Sequence, residues 1–415
     1  MNRKKIIQRV LLIGLPLFVL AVLFSGSSFV TIESEQGASI MMTDTKDGAF
    51  EKIGTTKVTH FFFRKPAVLY VSAELNGEQS ITSVKPKRLS IQSVKLNLST
   101  TTTAKKLSDG AVMDANFEGN KGRGIVYGQN TFVSFFTNSP DTDTDPQILG
   151  LPYIQKVVWN DFNNFVYLSD GGGVGQFVGG VDKGDSEVGS LITGDVNIDT
   201  ENTTEQGTPI ILDISRTGDK PLVLLSQGNI FTSTDMGSRL RAITSFEPEN
   251  RETAIFTADD SIFKVTYPEL QDAEVEDSGD KPQILLEEYS YSGEKIQNTY
   301  LDDDSAVVNI IKHDDTVYIL TQAGLYTVEG ETVRGSDIYF ANPADMVVYQ
   351  DQVLVLAKDG LWKVADDKSF QLVFRYSKYG NGLMDSMSID TNNQLIFGTT
   401  ATDETSSTAT FGLSF

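Results

Sequence analysis

The chain has no cysteine and only two histidines among its 415 residues. The lack of cysteine excludes disulfides, a thiolate nucleophile, cysteine-bound zinc and lipoprotein acylation. The two histidines, His60 and His313, fall in different predicted domains. This separation excludes a multi-histidine metal site and argues against a Ser-His-Asp triad. The sequence therefore predicts no cofactor.

Basic residues are also scarce, with 34 Lys and Arg against 56 Asp and Glu and a net charge of −22. The acidic excess lies in residues 101–415, whereas residues 25–100 have nearly equal numbers of acidic and basic residues. A body this acidic repels nucleic acid, so nucleic acid is excluded as a partner. The charge is typical of a surface kept soluble, and a face that attracts cations is the alternative.

Long hydrophobic runs are absent except at the N-terminus. Residues 1–9 carry four basic and no acidic residues, and residues 10–30 carry no charge. The strongly apolar part, residues 10–24, makes about 22 Å of helix, so residues 25–30 are needed to approach a ~30 Å membrane core. We predict a cytoplasmic basic stub (1–9) and a transmembrane signal-anchor helix (10–30), with the remaining chain outside the cell membrane. The alternative is a secreted protein, cleaved near Ser25-Gly26-Ser27.

The other apolar runs are short and rich in Val, Ile, Phe and Tyr, which predicts an all-β protein. Residues 31–98 show about six such runs and suit a small β-sandwich, which a polar linker (99–104) follows. Three consecutive phenylalanines occur in "HFFFRKP" (60–66). We expect two of them in the core and one against a neighbouring domain. Exposed contact with a partner or with lipid headgroups is the alternative.

Two short motifs in residues 31–98 resemble the PEGA domain, a short β domain of cell envelopes. Gln36-Gly37-Ala38 stand where that family has its Gly-Ala, and Gly54-Thr55-Thr56 stand at its Gly-Thr-Pro turn. The proline that the family has before this first motif is absent, and Lys57 replaces its second proline region. The resemblance implies a spacer or surface-adhesion role without catalysis.

Residues 105–415 contain a repeat. "DTVYILTQAGLYTV" (315–328) recurs as "DQVLVLAKDGLWKV" (351–364), and five further segments share the form of an apolar run, a turn and an apolar-aromatic strand. The residues that open these turns have a mean spacing of about 45: Gly128, Ser169, Ser226, Ala258, Thr321, Ala357 and Gly398. We interpret the uneven spacings as insertions at 137–150, 179–207 and 268–300, the last of which could instead be an extra hairpin.

A period of this length predicts a β-propeller of about seven blades, with six or eight as alternatives. The repeat resembles the WD40, YVTN and sialidase-like types. Blades pack face to face, so their middle strands should be continuously apolar and their outer strands more polar. We expect "GAVMDANF" (110–117) and "TATFGLSF" (408–415) to share a blade and so close the ring.

Two motifs could mark sites. Ser233, Asp235 and Gly237 resemble the Asp-box, a turn closed by side-chain hydrogen bonds, which implies a structural role. Asp141, Asp143 and Asp145 have the alternate spacing of a calcium loop. Pro146 stands where such a loop needs glycine, so we interpret the segment as a solvated acidic loop and predict no metal.

The sequence thus predicts a non-catalytic extracytoplasmic binding platform, whose propeller loops bind a protein or glycan of the cell envelope. One alternative is a glycan-acting hydrolase or lyase that uses carboxylates at the propeller channel. A structural factor for envelope assembly is the other.

Overall fold

A computed structural model describes the chain in segments between residues 27 and 414. These are 27–44, 49–63, 66, 68–75, 78–87, 91–96, 103–109, 112–118, 122–127, 131–135, 147–148, 154–161, 164–169, 172–178, 181–184, 191–193, 209–248, 251–268, 283–335, 338–340, 342–358, 360–364, 370–375, 383–389, 395–400 and 409–414. Within them the regular structure consists of 37 strands. No helix in these segments could cross a membrane, and residues 10–26 of the predicted anchor lie outside them.

The strands are numbered along the chain. The first seven are β1 (Ser28–Ser34), β2 (Ser39–Thr43), β3 (Glu51–Thr55), β4 (Lys57–Phe62), β5 (Leu69–Leu75), β6 (Glu78–Val84) and β7 (Ile91–Leu96). The next fourteen are β8 (Thr103–Asp109), β9 (Val112–Glu118), β10 (Gly122–Tyr127), β11 (Thr131–Phe135), β12 (Gln147–Ile148), β13 (Ile154–Asp161), β14 (Asn164–Ser169), β15 (Val174–Val178), β16 (Val181–Gly184), β17 (Leu191–Thr193), β18 (Ile211–Ser215), β19 (Leu222–Ser226), β20 (Asn229–Ser233) and β21 (Arg239–Ser245). The last sixteen are β22 (Thr253–Ala258), β23 (Ser261–Thr266), β24 (Ile284–Ser290), β25 (Lys295–Leu301), β26 (Val307–His313), β27 (Thr316–Thr321), β28 (Gly324–Glu329), β29 (Thr332–Gly335), β30 (Ile338–Tyr339), β31 (Asp345–Tyr349), β32 (Gln352–Ala357), β33 (Gly360–Val364), β34 (Phe370–Arg375), β35 (Leu383–Ile389), β36 (Leu395–Thr400) and β37 (Ala409–Ser414).

Contacts divide the chain into two compact units. The first unit comprises residues 1–101, 336–341 and 359–375, and the second comprises the rest. The first unit holds a three-stranded sheet, β4-β1-β7, and a five-stranded sheet, β3-β2-β5-β6-β30. Each sheet buries one set of alternating side chains, exemplified by Val30 and Ile32 in β1 and Val71 and Ala73 in β5. This period of two is the pattern expected of strands with one face in a core.

The start of β1 corrects the predicted end of the anchor helix. Ser28, Phe29 and Val30 were placed in the helix, but they are strand residues paired with β4 and β7. Val30 is fully buried. The alternation of buried and exposed residues begins at Ser28, so these residues belong to the sheet β4-β1-β7.

The prediction that two of the three consecutive phenylalanines lie in the core is wrong. Phe61 and Phe63 are 38% and 49% exposed, and Phe62 is half-buried. Phe61 lies on the outer face of β4, because the alternation of this strand directs Val58, His60 and Phe62 to the other face. Phe61 and Phe63 are therefore exposed, and their contact with a partner or with lipid headgroups stays a prediction.

The second unit consists mainly of antiparallel sheets in which neighbouring strands follow one another along the chain; the exceptions are β17, which pairs parallel to β21, and β8, which pairs with β37. Most of its strands form six sheets: β9 to β12, β13 to β16, β18 to β21 with β17 added at the edge, β22 to β25, β26 to β29, and β35 to β37 with β8. In addition, β31 and β32 pair as a hairpin. The first strands of these groups lie side by side in cyclic order: β9, β13, β18, β22, β26, β31, β35 and again β9. We call these seven strands the inner strands.

The first and last strands of the second unit meet in one sheet, but the predicted segment does not make the contact. β37 pairs with β8, with Leu413 opposite Ala104 and Phe411 opposite Lys106. The expected partner, residues 110–117, instead forms β9, which pairs with β10. β8 contains two lysines and was not predicted as a strand, because a strand at the outer edge of a sheet needs little apolar surface and so has a weak sequence pattern.

The irregular repeat spacing has a topological cause. Ser169, Ser226 and Thr321 each end the second strand of a sheet, whereas Ala258 ends the first strand, β22. The position in that sheet that matches the others is Thr266, at the end of β23. The predicted insertion at 268–300 contains β24 and most of β25, which complete the same sheet.

The burial pattern confirms the expected difference between middle and outer strands. Every residue of β19, β20 and β23 is buried, whereas β21 alternates and β29 is wholly exposed. Leu222 and Leu224 of β19 pack with the preceding sheet, while Val223 and Leu225 pack with the following one. The core of the unit therefore lies between consecutive sheets, and the middle strands are covered on both faces.

A buried lysine pairs with a buried carboxylate among these sheets. Lys264 is 1% exposed, and its Nζ donates to Glu287 Oε2 at 2.9 Å and lies 4.0 Å from the centroid of the Phe246 ring. Lys295 donates to the other oxygen of Glu287. Burial by itself would raise the pKa of Glu287, but the hydrogen bonds from the two lysines outweigh burial, and the pKa is lowered. The carboxylate is thus held ionised.

Candidate binding face

The turns that follow five consecutive inner strands meet at one end of the second unit. We call this surface the turn face; it comprises the end of β13 (159–161) and the turns formed by residues 215–221, 258–261, 313–316 and 349–352. Four of the turns bend through residues with positive φ: Gly218 (54°), Asp259 (48°), Asp314 (51°), and Gln350 and Asp351 (48° and 61°). Asp and Asn tolerate this conformation better than most residues, so a tight turn accounts for some of the acidic residues.

Arg216 connects the first two turns. Its Nη1 donates to Asn160 Oδ1 at 2.9 Å and to the Trp159 carbonyl at 3.3 Å. Its Nε donates to the Lys220 carbonyl at 2.8 Å within its own turn. Burial lowers the pKa of Arg216, while Asp219 and Tyr291 act in the opposite direction. An arginine remains charged under such a shift, so it presents a fixed cation between the turns.

A threonine hydrogen bond and an ion pair connect the second turn with the end of β22 and the third turn. Thr217 Oγ1 donates to the Thr257 carbonyl at 2.6 Å. Lys220 Nζ pairs with the Asp260 carboxylate. This hydrogen bond raises the pKa of Lys220 and lowers that of Asp260. Lys220 is half-buried and Asp260 is largely exposed, so the pair orients the turns and contributes little to stability.

The fourth and fifth turns meet at His313. Its Nε2 lies 3.6 Å from Asp351 Oδ1 and 4.0 Å from Asp314 Oδ2. The imidazole is mostly buried, whereas both carboxylates are almost fully exposed. A protonated imidazole would therefore attract two aspartates from adjacent turns.

Tyr291, in the turn between β24 and β25, lies close to the turn face. Burial raises its pKa to about 12, with a further contribution from the charge of Asp260. Its hydroxyl is near Thr257 but makes no hydrogen bond of good geometry. It remains protonated at neutral pH and can serve as a neutral donor.

The turn face carries more negative than positive charge. Its exposed carboxylates are Asp219, Asp259, Asp260, Asp314, Asp315 and Asp351. The cations among its described residues and at the adjacent strand end are Arg216, Lys220 and Lys312, all half-buried. The acidic groups are exposed on the turns, whereas the basic groups are half-buried, and Arg216 and Lys220 connect neighbouring turns. This face therefore presents a negative potential to solvent.

Two carboxylates connect the inner strands beneath this face. Asp213 Oδ1 accepts from Lys156 Nζ at 2.9 Å and from the Ile214 amide at 2.7 Å, and Oδ2 accepts from the Ile255 amide at 2.8 Å. These contacts join β13, β18 and β22. The inner edge of each such strand has no neighbouring strand, so its amides need other acceptors.

Asp345 repeats this arrangement farther around the ring. Its Oδ1 accepts from Asn309 Nδ2 and from the Met346 amide, both at 2.7 Å, and its Oδ2 accepts from the Met387 amide at 3.1 Å. It joins β26, β31 and β35. The interpretation of the sequence missed both aspartates, although a single acidic residue within an apolar run, as in "ILDIS" and "ADMVVY", was a signal that could have identified them.

The turn between β20 and β21 contains the sequence-predicted Ser233, Asp235 and Gly237. Ser233 Oγ donates to Asp235 Oδ1 at 2.8 Å and accepts from the Gly237 amide at 2.8 Å. Asp235 Oδ1 also accepts from the Arg239 amide at 2.8 Å. The turn is therefore closed by side chains, and Gln176 of the preceding sheet donates to the Met236 carbonyl at 2.7 Å.

The weak metal candidates Asp141, Asp143 and Asp145 lie outside the described residues. Within the described part of the chain, no group of three His, Asp or Glu side chains is arranged to hold a metal ion. The exposed aspartates of the turn face are thus a dispersed acidic surface.

Comparison with known proteins identifies the fold of the second unit. Virginiamycin B lyase from Staphylococcus aureus superposes with a TM-score of 0.53 at 8% identity, covering 76% of this chain and all of the lyase. The fold is a β-propeller. YCF48 bound to the D1 peptide (TM-score 0.48, 10% identity, 76% of this chain and 94% of that one) and the WD40 β-propeller domain of Doa1 (0.45, 9%, 75% and 97%) are more distant. No protein-family profile matches the chain, and no curated protein sequence matches it.

Proposed function

We propose that this protein is a non-catalytic binding platform whose turn face binds a basic segment of another protein. The observation that carries the proposal is the surplus of exposed aspartates on one rigid face of the propeller. Such a surface steers cationic partners towards it and repels acidic ones.

The stiffness of the face supports this function. Arg216, the Thr217–Thr257 pair and the Lys220–Asp260 pair fix neighbouring turns relative to one another. Asp213 and Asp345 fix the inner strands below. A surface ordered before binding loses little conformational entropy on binding, so a modest set of charged contacts can produce useful affinity.

We propose that the platform has seven blades, because seven inner strands follow one another in cyclic order. We further propose that residues 1–9 are cytoplasmic and that an uncleaved helix within residues 10–27 anchors the chain in the cell membrane. The β domain that follows would act as a PEGA-like spacer. In this arrangement the propeller searches the extracytoplasmic space near the membrane for an envelope protein, with an envelope glycan as the alternative ligand.

The proposal can be tested with an array of 15-residue peptides of graded net charge and the full-length protein in detergent. Basic peptides should bind, and the dissociation constant of the strongest should rise with salt, because screening weakens exposed charge pairs. The double variant Asp219→Lys/Asp315→Lys should weaken this binding by about tenfold or more, since each reversal replaces an attraction by a repulsion.

A matched control is Glu247→Lys/Asp304→Lys. These exposed residues lie in the connections that precede inner strands, at the opposite end from the turn face, and they make the same change in net charge. Equal binding of acidic and basic peptides, or equal loss in both double variants, would refute the proposal. Turnover of a glycan or ester substrate that disappears in Asp219→Lys/Asp315→Lys would favour the hydrolase or lyase alternative.

A further inference from the structure

The sheet β4-β1-β7 presents one face to solvent, and the composition of that face changes along the strands. At one end, Phe61 of β4, Phe29 of β1 and Ile91 of β7 lie in register across the sheet. The rings of Phe29 and Phe61 are 4.9 Å apart. Phe63 follows β4 on the same side by alternation. We call these four residues the apolar row.

The face becomes polar away from this row. Two residues further along β1, Thr31 lies opposite Thr59 and Ser93, and the two threonine hydroxyls are 3.0 Å apart. Two residues further still, Glu33 lies opposite Lys57 and Lys95. Lys57 Nζ is 3.2 Å from Glu33 Oε2. The face thus passes from apolar through hydroxyl to charged side chains.

The apolar row is unusually exposed. Phe29, Phe61, Phe63 and Ile91 are 40%, 38%, 49% and 78% accessible. If each aromatic residue offers that fraction of about 200 Å², the three rings alone present roughly 250 Å² of apolar surface. With Ile91 added, the row approaches the size of the largest apolar patch on a typical soluble monomer, and such patches are often functional.

We propose that the apolar row docks into the outer surface of the lipid bilayer, with the charged end of the sheet facing water. The proposal rests on the membrane anchor proposed above. The apolar run of residues 10–24 ends only five residues before Phe29, so at most about 18 Å of chain separates them. The apolar end of β1 is therefore the end nearest the proposed anchor. This places the apolar row towards the bilayer and the charged end of the sheet away from it.

The dimensions of the face fit the membrane interface. Glu33 lies four positions after Phe29, which corresponds to a rise of about 13 Å along the strand. The headgroup region on each side of a bilayer is about 5–8 Å thick, and interfacial elements insert about 5–10 Å. When the apolar row reaches the acyl chains, the Lys57–Glu33 pair therefore lies beyond the headgroups.

Basic residues near the apolar row favour anionic lipid as the surface. The exposed Lys85 and Lys87 precede β7, and the side chain of Gln92 holds their loop in place. Gln92 Nε2 donates to the Lys85 carbonyl at 3.1 Å, and the Lys87 amide donates to Gln92 Oε1 at 3.0 Å. Since Gln92 is the neighbour of Ile91, these lysines lie at the end of the sheet where lipid phosphates would be.

The absence of cysteine allows a direct test by single-site labelling. The variants Ile91→Cys, Lys95→Cys and Leu17→Cys of the full-length protein are labelled with an environment-sensitive fluorophore. They are reconstituted in vesicles of phosphatidylcholine and phosphatidylglycerol that contain nitroxide lipid. Ile91 and Lys95 share one exposed face of one strand, so they are matched positions, and Leu17 reports on the anchor.

We expect lipid-borne nitroxide to quench the label at position 91 at least twofold more than the label at position 95. Adding Phe29→Ser and Phe61→Ser to Ile91→Cys should abolish that difference, and unchanged circular dichroism would show that the fold persists. A quenched label at 17 with equal, weak quenching at 91 and 95 would overturn the docking while leaving the anchor intact. A label at 91 that is shielded from water but not quenched would also overturn it, because a second copy or another protein would then cover the face. An unquenched label at 17 would refute the anchor, and the docking proposal with it.

Discussion

The inner strands of the propeller depend on Asp213, and replacing it with alanine should destabilise the second unit strongly. The carboxylate accepts three hydrogen bonds, one from Lys156 and two from the Ile214 and Ile255 amides. Ile214 and Ile255 are fully buried. In Asp213→Ala, both amides would lose their acceptor in a region with little access for water.

The magnitude follows from the groups left unpaired. A buried amide without a partner costs about 1–3 kcal/mol, and removing one member of a buried ion pair costs about 3–5 kcal/mol. Lys156 is about one-third exposed and can rehydrate, so its contribution is small. We therefore expect a loss of about 3–4 kcal/mol, which lowers the Tm of a unit this size by about 6–12 °C.

Thermal unfolding of the full-length protein, followed by circular dichroism and calorimetry, measures this change. The matched control is Asp219→Ala, in the adjacent turn, where the aspartate is exposed; its Tm should stay within about 2 °C of the parent. Asp213→Asn should fall between the two, because it keeps one acceptor oxygen. If Asp213→Ala melted together with Asp219→Ala, the role assigned to this carboxylate would be wrong.

Three further predictions concern other parts of the second unit. Gly293→Ala should lower the Tm far more than Gly218→Ala, although both glycines have positive φ. A Cβ added at Gly293 would lie 1.8 Å from the Ile243 carbonyl oxygen, whereas a Cβ at Gly218 meets nothing within 4 Å. Equal Tm values for the two variants would refute the clash. Because folding lowers the pKa of Glu287 from 4.5, the ionised carboxylate stabilises the folded protein above about pH 4.5, and this stabilisation is lost as the pH falls through the pKa of the folded state. Glu287→Gln should therefore flatten the decline of Tm below about pH 4.5. Phe411→Ala should lower the free energy of unfolding in denaturant by about 3–5 kcal/mol, since this 3% exposed side chain stacks on Phe397 in the sheet that joins β37 to β8. A loss under about 1 kcal/mol would mean that this sheet does not depend on Phe411.

Much of the propeller was predictable because its cause is local. Middle strands lie between two sheets, so sequences such as "LVLLS" and "VLVLA" must be apolar at every position, and this pattern recurs with the period of a blade. The same argument predicted polar outer strands. The prediction of an acidic, repetitive, all-β body followed from composition and period alone.

Other features depended on contacts between residues distant in sequence. The choice of β8 as the partner of the last strand, and the displaced turn at Ala258, could not be inferred because edge strands and tight turns carry weak sequence signals. The exposed phenylalanines were misassigned because a run of aromatic residues does not show which face of a strand is covered. Which face is covered is decided by what packs on the sheet that β4 forms with β1, and the sequence of β4 alone does not show this.

The amino-acid sequence by itself determined the class of fold, the sign of the charge and the absence of thiol chemistry, since each is a property of residue types and their spacing. Only the tertiary structure decided which aspartates act together. The contacts of Asp213 and Asp345 join residues 36 to 57 positions apart in the sequence. The cyclic order of the inner strands brings these positions together. The aspartates are needed there because the free edge of each inner strand has amides that require an acceptor.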